Sequence, residues 1–384
     1  MHTRLGLLGV VVVSLVAVLV LSSCQAVGGA ASGPIKLGVI APLTGGGTSY
    51  GLGIKQGAQM AVDEINQAGG VNGRKIDMVT EDDASDPAQS VTAMTRLVDS
   101  DKADVIVGGW GSSQVLAHQP VAEKAGVPYI IVGATSPKIT NENVKWSFRV
   151  IQTDAIQAVE IANAALDNLK ASRIAVIFDS NDYGTGNRDV FAQRLKERNV
   201  QPVAVESYQT NDKDWTAQLT KIRDANPDVL AVFGTIPAAP AIMTQARQLG
   251  IKARFIGTGG LANEQLMGLG GAAVEGTILT TYFQEDTDPE AKAWADKYTQ
   301  LFASSSNPPR PVLAAWEYRA VKQILLPVLQ KAGSDKEAIR SGLQNFKGHV
   351  FGLQDEVYFD KTHQLVQHSV LTEVKDGKFA LFAK

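Results

Sequence analysis

The sequence predicts an α/β protein of two doubly wound parallel-sheet lobes, and three observations carry that expectation. Short apolar runs alternate with longer segments of helical periodicity from Ile35 to about Tyr282. Runs such as "ADVIVGG" and "PYIIVGA" are apolar without alternation, as strands buried on both faces are. The plan is also written twice: "RIAVIFDSNDYGTG" echoes "IKLGVIAPLTGGGTSYG", and "NPDVLAVFG" echoes "KADVIVGG". Alternating units of this kind wind a parallel sheet, and the internal similarity makes two tandem lobes the economical reading.

The elements follow in chain order. Arg4 precedes an apolar stretch, Leu5 to Leu21, which closes in "LSSC" at Cys24. The stretch is marginal for spanning a bilayer, and small residues just before a cysteine point to signal cleavage. An uncleaved membrane anchor is the alternative. "LSSC" resembles a bacterial lipobox, which implies that residues 1–23 form a lipoprotein signal peptide and that Cys24 is lipidated. Several acyl chains would then hold the protein to the membrane almost permanently. Cys24 is the only cysteine, so with it lipidated no disulfide, thiol nucleophile or cysteine metal site remains. Residues 24–34 are small and uncharged and read as a flexible tether.

"IKLGVIA", "KIDMVTE", "ADVIVGG" and "PYIIVGA" read as the first four strands. Between the first two, Ile54, Ala58, Ala61, Val62 and Ile65 share one helical face. A second helix is expected after Asp86 as N-cap, with Pro87 at its first position. The chain should cross to the second lobe near Val150 to Thr153. Beyond Tyr282, the helical stretches "PEAKAWADKYTQLF" and "PVLAAWEYRAVKQILLPVLQKAG" could return to the first lobe, and the strand-like "QLVQHSVLTEV" to the second. About 360 mature residues suffice for two cores without disulfides. The net charge is −3 with no run of like charge, so neither nucleic acid nor a membrane surface is an expected target.

An enzyme reading has one rival to offer. Gly47, Gly51 and Gly53 follow the first strand, and Tyr318 with Lys322 gives Y-x-x-x-K; together these mimic a nicotinamide-dependent oxidoreductase. The Tyr–Lys pair stands too late in the chain and inside an apolar helix, where the two are ordinary neighbours one turn apart. Reduced nicotinamide is also scarce outside the cytoplasm. His2, His118, His349, His363 and His368 show no ligand spacing, and no G-x-S-x-G elbow is present. The acids Glu81 to Asp83 fit a strand-end turn better than a cation site. No catalytic residue, cofactor or metal is expected.

A binding site is better supported. Ser112 and Ser113 stand where a strand ends and a helix begins, and free amides with the positive dipole end form a ready carboxylate site there. Gly133, Ala134 and Thr135 repeat the arrangement at the next strand end. Simple N-capping is the alternative, but two such motifs on adjacent strand ends favour a shared anion site.

The mature chain resembles the branched-chain amino acid (Leu/Ile/Val) type of periplasmic binding protein that serves ABC importers. The resemblance is most specific in "YGLGIKQGAQMAVDEINQAGGVNGRKI", "EDDASDPAQSV", "VPYIIVGATSP", "DSNDYGTG" and "ARFIGTGGLAN". It implies two lobes joined by three hinge crossings, near residues 150–153, 281–285 and 352–357, closing over a small ligand. Residues 35–150 plus 285–352 would form the N-terminal lobe, and 151–284 plus 353–384 the C-terminal lobe. It implies that Ser112 and Thr135 bind a carboxylate, that the Gly133 carbonyl accepts from an ammonium, and that Tyr50 and Tyr183 line the cleft. The glycine-rich "LTGGGTSYG" would then be a lip carrying Tyr50 over the ligand, its glycines allowing close approach. The partners implied are an ABC permease and ATPase. A sensor presenting its closed form to a receptor would keep the same fold.

Two departures limit the ligand. Gly259 stands where the amino-acid binders place a glutamate on the ligand's ammonium, and Thr235 replaces a cleft tyrosine. A buried ammonium without a counter-charge costs several kcal/mol, enough to erase a micromolar affinity of about −8 kcal/mol. Either the ligand lacks an α-amine, as an aromatic or branched aliphatic acid does, or Asp182, Glu264 or Glu285 supplies the charge to a branched-chain amino acid. Trp110 beside Ser112 would give an apolar wall.

Overall fold

Two sheets, each built on five parallel strands in one order, form the frame. The computed structural model describes residues 33–303, 311–353, 355–367 and 370–382; the expected signal peptide and Cys24 lie outside them. In the first sheet β1 (Ile35–Ala41), β2 (Ile76–Asp82), β3 (Val105–Gly108), β4 (Tyr129–Ile131) and β5 (Ser147–Arg149) run in the order β2-β1-β3-β4-β5, all parallel. The helices α1 (Thr48–Gln67), α2 (Pro87–Asp99) and α3 (Ser112–Ala125) alternate with them. Alternate strand residues enter two different cores. Leu37, Val39, Val105, Val107 and Ile130 lie on one face, and Ile40, Ile106, Tyr129 and Ile131 on the other. Each fully buried side chain of this kind stabilises by about 1.5–3 kcal/mol, which is why the runs are apolar without alternation.

Local sequence decides the helix starts. Asp86 accepts from the amides of Ala88 and Gln89, both at 2.9 Å, with Pro87 at the first position of α2. The face of α1 expected to be apolar is the buried one: Ile54, Ala58, Ala61, Val62 and Ile65 are all covered.

The second lobe repeats the order. Its helices α4 (Asp154–Asn163), α5 (Asp182–Glu197), α6 (Thr216–Asp224), α7 (Ala238–Gln248) and α8 (Gln265–Gly270) accompany β6 (Ile174–Asp179), β7 (Ala204–Tyr208), β8 (Val229–Phe233), β9 (Arg254–Gly257) and β10 (Ile278–Thr281). These strands run β7-β6-β8-β9-β10, the same permutation as the first five. The chain passes between the sheets from Arg149 to Asp154, where Thr153 caps α4 by accepting from Ala155 N.

Four helices follow, α9 (Pro289–Phe302), α10 (Pro311–Arg319), α11 (Leu326–Ala332) and α12 (Lys336–Gln344), with α10 continuing into α11 through a π-helical stretch, Ala320–Leu325. Helix α10 packs on α1, and Tyr318 Oη donates to Glu64 at 2.6 Å. The last crossing falls later than 352–357. β11 (Lys347–Gly348), β12 (Val357–Phe359) and β13 (Leu365–Val366) make a small antiparallel sheet beside the first lobe. Arg149 N donates to His363 O, and Phe148 packs edge-on against Phe359. Only β14 (Val370–Lys375) joins the second sheet, antiparallel to β10, followed by β15 (Lys378–Leu381). The sequence pattern treats residues 364–374 as one strand; the apolar side chains at 357–365 find their cover on the first lobe instead.

Candidate ligand-binding cleft

Loops at the carboxyl ends of both sheets enclose a cavity of about 690 Å³, the place where open α/β sheets bind ligands and a size within the ~300–1,000 Å³ of small-molecule sites. The first lobe supplies Tyr50, Trp110, Ser112, Ser113, Gly133 and Thr135, and the second supplies Tyr183, Thr235 and Gly259. Nine of the ten residues expected at a ligand therefore border one space. Ala134 does not: it is fully buried in the first lobe's outer core. Gly133 and Thr135 border the cavity, the Thr135 hydroxyl lying sealed just beneath its surface, while Ala134 between them packs into that core.

Tyr50 sits differently from the expected lip. It lies in the first turn of α1 rather than on a loop, 3 % exposed, stacked on Trp110 at 4.2 Å and 19°. Its hydroxyl donates to Gly260 O (2.7 Å) and accepts from Ile236 N (3.1 Å), both on the other lobe. A side chain at Gly51 would drive its Cβ to 2.0 Å from Pro42 O, so that glycine lets the helix start against the end of β1.

The serines divide their work. Ser112 Oγ accepts from Ser136 N at 3.2 Å, which leaves its proton for an acceptor in the cavity. Ser113 Oγ instead donates to Asp182 Oδ2 across the cleft at 3.0 Å, and Asp182 also pairs with Lys138 at 3.0 Å. Asn263 reaches Ser49 at 3.1 Å. The lobes are thus drawn together by polar contacts around the cavity.

The second-lobe wall is held by a buried polar network. Gln157 Oε1 accepts from Gly259 N, Thr280 Oγ1 and Tyr282 Oη, each at 2.9 Å. Tyr183 Oη accepts from Gly260 N and meets Thr258 Oγ1, both at 2.9 Å. A Cβ at position 259 would come within 2.2 Å of Tyr282 Oη. Tyr282 therefore fills the space into which a glutamate would project. Beneath Thr135, Asp154 is fully buried; desolvation raises its carboxyl to about 7, against the Thr135 hydroxyl, the Arg149 guanidinium and the Asn187 amide, which favour ionisation.

None of the three acids considered as a counter-charge, Asp182, Glu264 and Glu285, lines the cavity. Asp182 is used by Ser113 and Lys138, and Glu285 is exposed on a turn. The acids that do line it are Asp86, Asp179 and Asp212, of which only Asp179 is buried; Trp215 and Tyr282 are further lining residues not expected from the sequence. Asp179 carries a legible signal, a carboxylate ending an apolar strand. Tyr282 and Gln157 carry none, since their partners lie 125 residues apart. The Y-x-x-x-K pair is remote from this site: Tyr318 and Lys322 both reach Glu64, the lysine at 3.5 Å.

Two lobes of one topology meeting over a cavity at their strand ends form an architecture suited to holding a small molecule. Residues 34–378 match the family described as periplasmic binding protein. An amino acid binding protein of Pseudomonas aeruginosa is 34 % identical over 73 % of this chain and 75 % of its own. The Leu/Ile/Val-binding protein BraC3 of Rhizobium johnstonii is 33 % identical over 82 % and 84 %. The LivJ substrate-binding protein of Streptococcus pneumoniae, solved with isoleucine, superposes with a TM-score of 0.81 at 29 % identity, covering 90 % of this chain and 97 % of that one. The chain belongs to the periplasmic binding proteins, in the branch of the Leu/Ile/Val-binding proteins.

Proposed function

We propose that the chain is the solute-binding lipoprotein of an ABC importer, taking a small organic carboxylate between its lobes and presenting the closed form to a membrane permease. The observation that carries this reading is the cavity bordered by Ser112 and Thr135 on one lobe and tied shut from the other through Tyr50. Uncharged donors suffice for a carboxylate there because closure excludes water and strengthens each hydrogen bond. Contacts made only in the closed state give the ligand its differential affinity for that state, and this difference drives closing. No bond of the solute is broken. Relatives named for branched-chain amino acids support a small carboxylate as the ligand class. Tyr282 in the place of an ammonium-binding glutamate side chain favours an acid without an α-amine, aromatic or branched aliphatic. The "LSSC" sequence supports attachment to the cell envelope through Cys24.

Native mass spectrometry of the purified protein would weigh the solute it carries. Calorimetric titration of that solute should show Ser112→Ala with Thr135→Ala weakening binding by about 2–4 kcal/mol. Unchanged affinity in the double variant would refute the site.

A further inference from the structure

The second lobe brings one buried carboxylate to the cavity. Asp179 ends β6, is 2 % exposed and lines the inner wall. Its Oδ1 accepts from Asn181 N at 3.2 Å and from Thr210 Oγ1 at 2.8 Å, bonds that fold the turn into α5. Its Oδ2 accepts none of the hydrogen bonds of the described residues, yet it is not among the side-chain oxygens sealed away from water. No ion pair of the described residues reaches it. Lys213, at the mouth, is exposed. Burial raises the Asp179 carboxyl above its ordinary range, against the Thr210 and Asn181 bonds. A desolvated carboxylate with one oxygen open to a cavity gains most from a donor arriving inside that cavity. The other two acids of the lining differ: Asp86 is exposed, and Asp212 is half-buried with Oδ2 engaged by Gln209 N.

We propose that Asp179 Oδ2 selects ligands whose end remote from the carboxylate carries a hydrogen-bond donor, a hydroxyl or an amine. The proposal rests on the carboxylate-capture reading above and deepens it. Ser112 and Thr135 hold one end of the solute from the first lobe, Asp179 takes the other from the second, and Trp215 and Tyr282 line the wall between. A solute satisfying both ends bridges the lobes, so the donor adds to closure as well as to affinity.

The test pairs acids that differ by one donor. Phenylacetate, 4-hydroxyphenylacetate, 4-aminophenylacetate, leucine and 4-methylpentanoate are titrated calorimetrically into the wild-type protein, Asp179→Asn and Thr210→Val. The amide of Asp179→Asn keeps Oδ1 for the turn and replaces Oδ2 by an NH₂; Thr210→Val, at another lining position, removes the bond to Oδ1 and the long bond from Asn181 Nδ2 at 3.5 Å, and leaves Oδ2 as it is. The wild type should bind the hydroxylated or aminated phenylacetate at least tenfold more tightly than phenylacetate. Asp179→Asn should bring the ratio within threefold, and Thr210→Val should preserve it. A wild type that binds phenylacetate equally well overturns the proposal and leaves carboxylate capture standing. Loss of the ratio in Thr210→Val as well would make Asp179 a turn former and overturn it too. Discrimination confined to leucine against 4-methylpentanoate would do the same, because the donor would then be the α-ammonium. Failure of every acid to bind sinks the carboxylate reading itself, and this proposal with it.

Discussion

Tyr50→Phe isolates the energy that the closed arrangement draws from one hydroxyl. The ring keeps its place against Trp110, since its stacking involves no oxygen. What is lost is the bond to Gly260 O at 2.7 Å and the bond from Ile236 N at 3.1 Å. In an open protein both backbone groups and the hydroxyl face water, so the substitution changes little there. In the closed protein the two groups keep their desolvation and lose their partner, at about 1–3 kcal/mol each. Cavity water can replace part of this, and the phenylalanine no longer has a hydroxyl to desolvate. A net cost of about 2 kcal/mol to closure follows, and at 1.4 kcal/mol per decade that is roughly a 30-fold weaker Kd. Calorimetric titration of the co-purifying solute measures the affinity, and small-angle scattering with and without it measures compaction. The variant should need correspondingly more solute to reach the compact form. A Kd within threefold of the wild type would show that the bridge contributes nothing to closure and would refute the reasoning.

Two further predictions concern the buried acid and the anchor. Asp154 titrates near 3.8 when unfolded and at about 7 in the fold, so between those values the native chain holds a proton that the unfolded chain has released. Its contribution to stability is therefore lost as pH rises from about 4 to 7 and stays lost above. Asp154→Asn should be more stable than the wild type at pH 8 by on the order of 3 kcal/mol and similar to it at pH 4.5, as measured by urea unfolding. An equal difference at both values would contradict the burial argument. Cys24→Ser should move the protein from the membrane to the soluble fraction after centrifugation; a variant that still sediments would favour an uncleaved apolar segment over acylation.

Much of the frame is legible in the sequence because it is written in local patterns. Apolar runs without alternation mark β1, β3 and β6, and Asp86-Pro87 marks the start of α2 through bonds two and three residues away. The two sheets share a strand order that the internal echo between "KADVIVGG" and "NPDVLAVFG" anticipates. The hairpin between β14 and β15 also has a local signature, an Asp376-Gly377 pair with φ of 51° and 70°, the form a two-residue turn favours. The misses are long-range. That β12 and β13 cover the first lobe depends on contacts from Arg149 to Gln364, which no window of the chain reveals. Ala134 is misplaced because a loop motif names three consecutive residues, and the core beneath the strand end takes the middle one. Tyr282 closes position 259 to a side chain from a neighbouring strand, and only the register of β9 and β10 brings them together.

Neither half of the molecule is contiguous along the polypeptide. Helix α1 awaits a partner 254 positions further on, at Tyr318, and Arg149 awaits Gln364. A nascent chain therefore cannot finish either globule until synthesis is almost over, and ordering through such distant pairings is intrinsically slow. If the chain is exported as proposed, a connectivity that delays compaction would favour machinery that threads unfolded polypeptides.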